Sequence, residues 1–440
     1  MAKKKVEGTG KAIDIFKTLH KMDDTVEILE KSTYSNISHW ISSGNYILNA
    51  CLSGDLHYAI PCGRVTTIAG PSGTGKSYLA CSICREAQYE GYTPVYLDSE
   101  GAIDKDFVAR LGCDPNNFII KQVNTIKETT TFIANMCKDI QEQVDAGAEL
   151  PKIILVLDSL GNLTSDKEKN DAITGNTAAD FTKAKDTKAL FRVVTQPLSK
   201  LQIPFIVTNH VYANIGSFTG GTIMANGSGI VYAGSVTLNL ASIAKLVDKD
   251  NDKAAAATTG SETAKKNGIL VSAWPDKSRF CLPRKVKFQI PFYKKPNKYL
   301  GLEEYLNWDN AGILQGKCYT QAEYDKLDPA DQLEADKHKW EFNGEMRYAI
   351  EKKTMVRGVG IVCKHLGRQV DIHTFYSKEV FTPEFLDYIN TNIIGPLFKL
   401  PDQSSFDDID DIVEDLNLKE EEEKAGIINK DESTGIETDA

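Results

Sequence analysis

The chain has 440 residues, 41% of them hydrophobic and 25% charged, with a formal net charge of −10, a composition that suits a soluble protein of two or three domains. It holds no apolar run near the length of about 18 residues needed to span a membrane, its start Met1-Ala2-Lys3-Lys4-Lys5 lacks the apolar stretch of a signal peptide, and its nine cysteines lack framework spacing, as in a reduced cytoplasmic chain. The charge is unevenly shared. Residues 401–440 hold 15 acidic and 3 lysine side chains, a balance of −12, so the first 400 residues carry 48 basic and 46 acidic groups and can still present a basic face.

Residues 1–35 contain an apolar stripe at helical spacing, Ile13, Phe16 and Leu19, followed by Val26 and Leu29. The stripe needs a partner, either the core or a neighbouring protomer. Residues 65–69 read as the first core strand. Gly70-Pro71-Ser72-Gly73-Thr74-Gly75-Lys76-Ser77 then matches every fixed position of G-x-x-x-x-G-K-[ST], and a helix-capable segment, 78–89, follows. The glycines let successive N–H groups turn inward towards phosphate oxygens, Lys76 can reach the β- and γ-phosphates, and the Ser77 hydroxyl can coordinate Mg²⁺. Cys81 and Cys84 lie within this helix without a second pair nearby, and read as small core residues rather than metal ligands.

Strands at 95–98, 118–123, 153–158 and 203–208 alternate with helices at 103–111, 126–146 and 179–200. Short apolar strands joined by helices imply an α/β fold with a mostly parallel central sheet and flanking helices. Three strands end in polar residues on the edge that carries the phosphate loop. Asp158 closes one and suits the carboxylate that helps to hold Mg²⁺. Glu100 lies just beyond Asp98 and is the candidate for polarising the attacking water, with Asp98 as its competitor. Asn209 and His210 end the third strand, where a polar pair could sense the γ-phosphate. Two polar stretches leave the same edge, 163–178 and 213–234, the latter with six glycines, and both read as loops.

Residues 248–268 are low in complexity and read as a surface insert between apolar runs. Residues 286–290 alternate as a strand, 301–316 read as a short helical unit, and 317–400 as a mixed accessory region. From 401 onward, acids alternate with isolated Ile, Val and Leu in a disordered or partner-dependent tail.

Taken together, Gly70 to Ser77, Tyr96-Leu97-Asp98-Ser99-Glu100, Leu157-Asp158-Ser159-Leu160-Gly161-Asn162, Asn209-His210 and the glycines from Gly220 to Gly229 resemble the RecA/RadA superfamily of recombinases, most closely the UvsX-type recombinases of tailed phages. The resemblance covers roughly residues 35–316. It implies a RecA-like ATPase core over 36–316, an N-terminal packing or oligomerisation segment over 1–35, and ATP with Mg²⁺ as the ligands. By the same resemblance Lys76 and Ser77 bind phosphate and metal, Asp158 is the second metal residue and Glu100 the hydrolytic glutamate. His210 takes the nucleotide-sensing position, a glutamine in cellular members, and the loops at 163–178 and 212–234 bind DNA. Lys277 and Arg279 would reach the ATP of a neighbouring protomer. The implied activity is DNA-dependent ATP hydrolysis coupled to homologous pairing and strand exchange in recombination, repair and replication. The implied partners are single-stranded DNA, homologous duplex, further copies in a helical filament, a single-strand-binding protein and a mediator or loader, with no membrane. Two competing readings share the core: a ring helicase, and an ATP-gated assembly protein that needs Lys76 and Ser77 but no Glu100.

Overall fold

The computed structural model of the chain describes residues 14–23, 25–32, 35–174, 182–213, 222–225, 229–247, 266–292, 295–354 and 358–401. Packing separates Met1–Lys399 from Leu400–Ala440; beyond Pro401 the expected acidic tail lies outside the described residues, as do 248–265 of the expected insert.

Helix α1 (Ile15–Met22) starts where the Asp14 side chain accepts the Lys17 backbone N–H, as an N-cap should. None of its residues is buried, and Ile15, Leu19 and Met22 are exposed. The short antiparallel pair β1 (Trp40–Ile41) and β2 (Ile60–Pro61) brackets α2 (Tyr46–Ser53). Asn45 caps α2 through the Leu48 N–H, and Gly54 ends it at φ 82°, a left-handed turn that favours glycine.

The main sheet is built from β3 (Val65–Gly70), β4 (Thr93–Asp98), β5 (Ile119–Gln122), β6 (Ile153–Asp158), β7 (Phe205–Ala213), β8 (Thr222–Met224), β9 (Val236–Val247), β10 (Lys266–Ser278) and β11 (Val286–Pro291). Its order is β11-β10-β9-β3-β7-β6-β4-β5, with β8 paired to β7. The run from β9 to β5 is parallel, whereas β10, β11 and β8 pair antiparallel. Every residue of β3 is buried, and so are five of six in β4 and in β6, which is why these strands read as continuous apolar runs.

Helix α3 (Lys76–Tyr89) covers one face, where Ile68, Cys81, Cys84, Tyr96 and Val156 share a core. Helices α4 (Lys105–Arg110), α5 (Ile126–Asp145), α6 (Asp166–Thr174), α7 (Thr182–Lys200) and α8 (Gly229–Ala233) complete the unit. Ile133 and Cys137 of α5 and Leu190, Phe191 and Val194 of α7 pack over Leu155 and Phe205 on the opposite face. Each such aliphatic or aromatic side chain contributes about 1.5–3 kcal/mol on burial. A second, antiparallel sheet follows: β12 (Ile313–Thr320), β13 (Lys339–Phe342), β14 (Glu345–Glu351), β15 (Gly360–Cys363) and β16 (Arg368–Val370), in the order β13-β14-β12-β15-β16.

Four expectations change. The stretch read as a loop over 163–178 contains α6, whose start is held by the Ser165 hydroxyl accepting the Glu168 N–H; residues 175–178 lie outside the described set. The stretch 213–234 contributes β8 and α8, because Ile230 is fully buried and Gly229 fits against Lys188 of α7 where a Cβ would lie 2.8 Å from its Cγ. Residues 214–221 and 226–228 lie outside the described set. The helical unit expected at 301–316 shrinks to a turn at Leu302–Tyr305 and a helix at Trp308–Ala311, and the boundary expected after residue 316 falls inside β12, which binds the second sheet together. Lastly, Lys266 to Gly268 belong to β10 rather than to the insert.

Candidate nucleotide and metal site

Register explains why the phosphate loop stands where it does. Gly70, the last residue of β3, pairs with His210, and β7 continues to Ala213; on the other side β9 pairs with β3 only over residues 236–239 and then runs on to Val247. Residues 70–77 therefore leave the sheet in a notch between two strands that outrun β3. The backbone of Gly70 closes against Leu240, where a Cβ would lie 2.9 Å from the carbonyl oxygen. Gly75 has φ 88°, a left-handed backbone that favours glycine, and a Cβ there would sit 2.3 Å from Ile290 Cδ1 and force that side chain to shift. Gly73 has φ 75° and open space around it, and Pro71, Ser72 and Gly73 are exposed at the crest.

Lys76 at the start of α3, Glu100 just beyond β4 and His210 in β7 come together at this loop. The Lys76 ammonium donates to the carbonyls of Gly70 at 2.9 Å and Pro71 at 3.0 Å, and approaches His210 Nδ1 at 3.4 Å. His210 Nε2 lies 3.0 Å from Glu100 Oε1, so the pattern requires Nδ1 to accept and Nε2 to donate. Ser159 Oγ also donates to Glu100 Oε1, at 2.5 Å. Burial pushes the Glu100 carboxyl up, but the Ser159 and His210 hydrogen bonds and the Lys76 charge outweigh it and hold the group below its ordinary value. Burial pulls the Lys76 ammonium below its ordinary value, against the opposing charges of Asp158 and Glu100.

Asp98 and Glu100 differ in what each side chain touches. Asp98 is buried, and its Oδ1 accepts the backbone N–H groups of Glu100 at 3.0 Å and Gly101 at 2.8 Å. It holds the turn, whereas the Glu100 carboxylate meets His210 and Ser159. Asp158 is also buried and is joined to Ser159 by a cis peptide. Ser99 stitches the two strand ends together, its hydroxyl donating to the Ser159 carbonyl and accepting the Ser159 N–H, both at 2.8 Å.

Asn209 and His210 extend the site towards the loop stretches. Asn209 Nδ2 donates to the Ala225 carbonyl at 3.0 Å, and the Ala225 N–H donates to the His210 carbonyl at 2.9 Å. Gly161 fits against both, since a Cβ there would lie 3.1 Å from His210 Cδ2, 3.2 Å from Asn209 Oδ1 and 3.3 Å from the Ala225 Cβ. Gly161, two residues before one predicted loop, and Ala225, within the other, thus meet at one histidine. Lys277 and Arg279 do not join the site of their own chain: Lys277 pairs with Thr237 at the opposite end of the sheet, and its ammonium donates to the Tyr232 carbonyl at 3.3 Å.

The donor set fits a nucleoside triphosphate with a hard cation. The loop opens onto the N-terminus of a 14-residue helix with no acidic residue in its first turn, which favours phosphate. Among the described residues no three His, Cys, Asp or Glu side chains cluster as metal ligands; a serine hydroxyl and one carboxylate beside phosphate oxygens are the usual surroundings of Mg²⁺, which keeps several waters. Ser159, Ser99 and Gly161 were missed from sequence. All three fall inside stretches that carry the resemblance, but none was assigned a role there.

Residues 13–267 match the family described as RecA N-terminal domain. The chain is 32% identical over 189 residues to the recombination and repair protein of Enterobacteria phage T4, across 42% of this chain and 46% of that one. It is 28% identical over 272 residues to protein RecA of Chlorobium chlorochromatii, across 60% and 72%, and 30% identical over 202 residues to protein RecA of Bartonella henselae, across 43% and 52%. The chain thus spans about half the length of the first and third of these relatives.

Proposed function

The chain belongs to the RecA family, and from that premise we propose that it is an ATP-dependent DNA recombinase, which assembles as a filament on single-stranded DNA and catalyses homologous pairing and strand exchange. The observation that carries this reading is the contact of Lys76, Glu100 and His210 over the phosphate loop, with His210 tied through Asn209 and Ala225 to the stretch beyond β7. One histidine touches both the groups that would meet a γ-phosphate and the segment proposed to meet DNA.

In this reading residues 70–77 bind the triphosphate of ATP, with Ser77 and Asp158 holding Mg²⁺, which neutralises developing charge on the phosphates. Glu100, kept ionised by its hydrogen bonds, accepts a proton from the attacking water. When the γ-phosphate is lost, Lys76 and His210 change partners, and the shift reaches Gly161 and Ala225 through direct packing. DNA contacts go mainly to the phosphate backbone, with base pairing reading the sequence. Lys277 and Arg279, at the far end of the sheet, serve a neighbouring protomer, and the filament works in the cytoplasm, that of the host if the chain is phage-encoded, with a single-strand-binding protein and a loader.

Steady-state ATP hydrolysis with and without single-stranded DNA, beside Glu100→Gln, tests this. DNA should stimulate hydrolysis, and the variant should lose it by about 10²-fold or more while still binding DNA. Imaging the ATP-bound variant separates filament from ring. Hydrolysis indifferent to DNA would remove the recombinase reading.

A further inference from the structure

Asp158 is gripped by two hydroxyls that no motif announces. Tyr96 donates its phenol O–H to Asp158 Oδ2 at 2.6 Å, and the Thr208 hydroxyl donates to Oδ1. Tyr96 and Thr208 are fully buried and Asp158 almost so. Strand order and register create the grip. β6 lies between β4 and β7; Tyr96 pairs with Val156 and Asp98 with Asp158, so Tyr96 lies two residues back along the neighbouring strand on the same face as Asp158. Leu157 pairs with Val207, which sets Thr208 beside Asp158 from the other side.

In the middle of an apolar sheet a phenylalanine and a valine would fill these two places without a hydroxyl to satisfy. The hydroxyls are therefore better explained by the carboxylate than by the core. Resting on the reading of Asp158 as a metal residue, we propose that Tyr96 and Thr208 are positioning residues that fix both oxygens of Asp158 and so preorganise the divalent-cation site beside the phosphate loop. Each oxygen keeps a lone pair for the metal or its water, while rotation of the carboxylate is blocked from both flanks. Partners of this kind typically change metal affinity 10–100-fold when removed.

The test uses the full chain with ADP and Mn²⁺ as the probe, free Mn²⁺ being read by electron paramagnetic resonance, and metal-free ADP affinity measured in parallel. Tyr96→Phe and Thr208→Val should each weaken Mn²⁺ binding in the ADP complex about tenfold and leave metal-free ADP binding unchanged. Thr208→Ser, which keeps the hydroxyl, should restore Mn²⁺ binding. Asp158→Asn separates the two levels. If it binds Mn²⁺ like the unmodified chain, Asp158 is no metal residue and the reading beneath the proposal fails. If Asp158→Asn loses Mn²⁺ while Tyr96→Phe and Thr208→Val bind it normally, the positioning role alone is overturned. Equal loss of metal-free ADP and Mn²⁺ binding in the hydroxyl-free variants, or no rescue by Thr208→Ser, would make these residues structural and overturn it too.

Discussion

At the scale of single residues, the candidate site is a set of side chains held by their neighbours rather than by the motif alone. Glu100 shows this best, because its carboxyl would rise on burial but is held down chiefly by the hydroxyl of Ser159. A base of this kind works only when ionised, so activity falls as the pH drops through its pKa. Ser159→Ala removes the largest of the lowering contributions and raises that pKa. The acidic limb of the kcat profile, which lies below the ordinary glutamate range, should therefore move to higher pH, and rates followed downward from about pH 6 through that range check it; an unmoved limb would mean that Ser159 does not tune Glu100. Gly75 is a second case. Its φ of 88° strains any other residue, and a Cβ would push the Ile290 side chain aside, so Gly75→Ala should destabilise the fold by about 1 kcal/mol or more and weaken nucleotide binding, as thermal melts with and without ATP would report.

Whole elements raise different questions. Helix α1 carries Ile15, Phe16, Leu19 and Met22 without burying any of them. In the proposed filament a second copy would cover this open apolar face. Phe16→Asp with Leu19→Asp should leave the folding stability within about 0.5 kcal/mol, as for other surface changes, and abolish self-association in sedimentation runs. A fall in stability without a change in assembly would place α1 on its own core. Helix α8 is the converse case, a glycine-rich stretch that sequence reads as a loop. One side chain, Ile230, decides it: fully buried among Leu190, Phe191 and Val194, it pins five residues against α7. Ile230→Ala should cost about 2–5 kcal/mol in urea unfolding, far more than any glycine-rich surface loop would lose.

On the scale of the whole molecule, charge is the feature that local reading averages away. The first 400 residues carry +2 and the last 40 carry −12. In the proposed function the acidic tail competes with DNA for basic surface. Truncation after Pro401 should tighten single-stranded DNA binding at low salt and steepen the salt slope, with the two chains converging at high salt. Identical affinities and slopes would leave the tail to a protein partner.

The sequence by itself determined the parallel sheet, the phosphate loop and the acids at the ends of its strands, because fully buried strands are continuous apolar runs and a phosphate cradle needs glycines at fixed spacing. Lys76, Asp158 and Glu100 were legible for that reason. Only the tertiary structure decided that Asp98 holds a turn while Glu100 meets His210, that Lys277 stands at the far end of the sheet, and that the hydroxyls of Tyr96 and Thr208 reach Asp158 and that of Ser159 reaches Glu100. These are matters of strand order and register. β4, β6 and β7 are neighbours although long helices separate them in sequence, and no local pattern tells a strand which other strand it will lie beside.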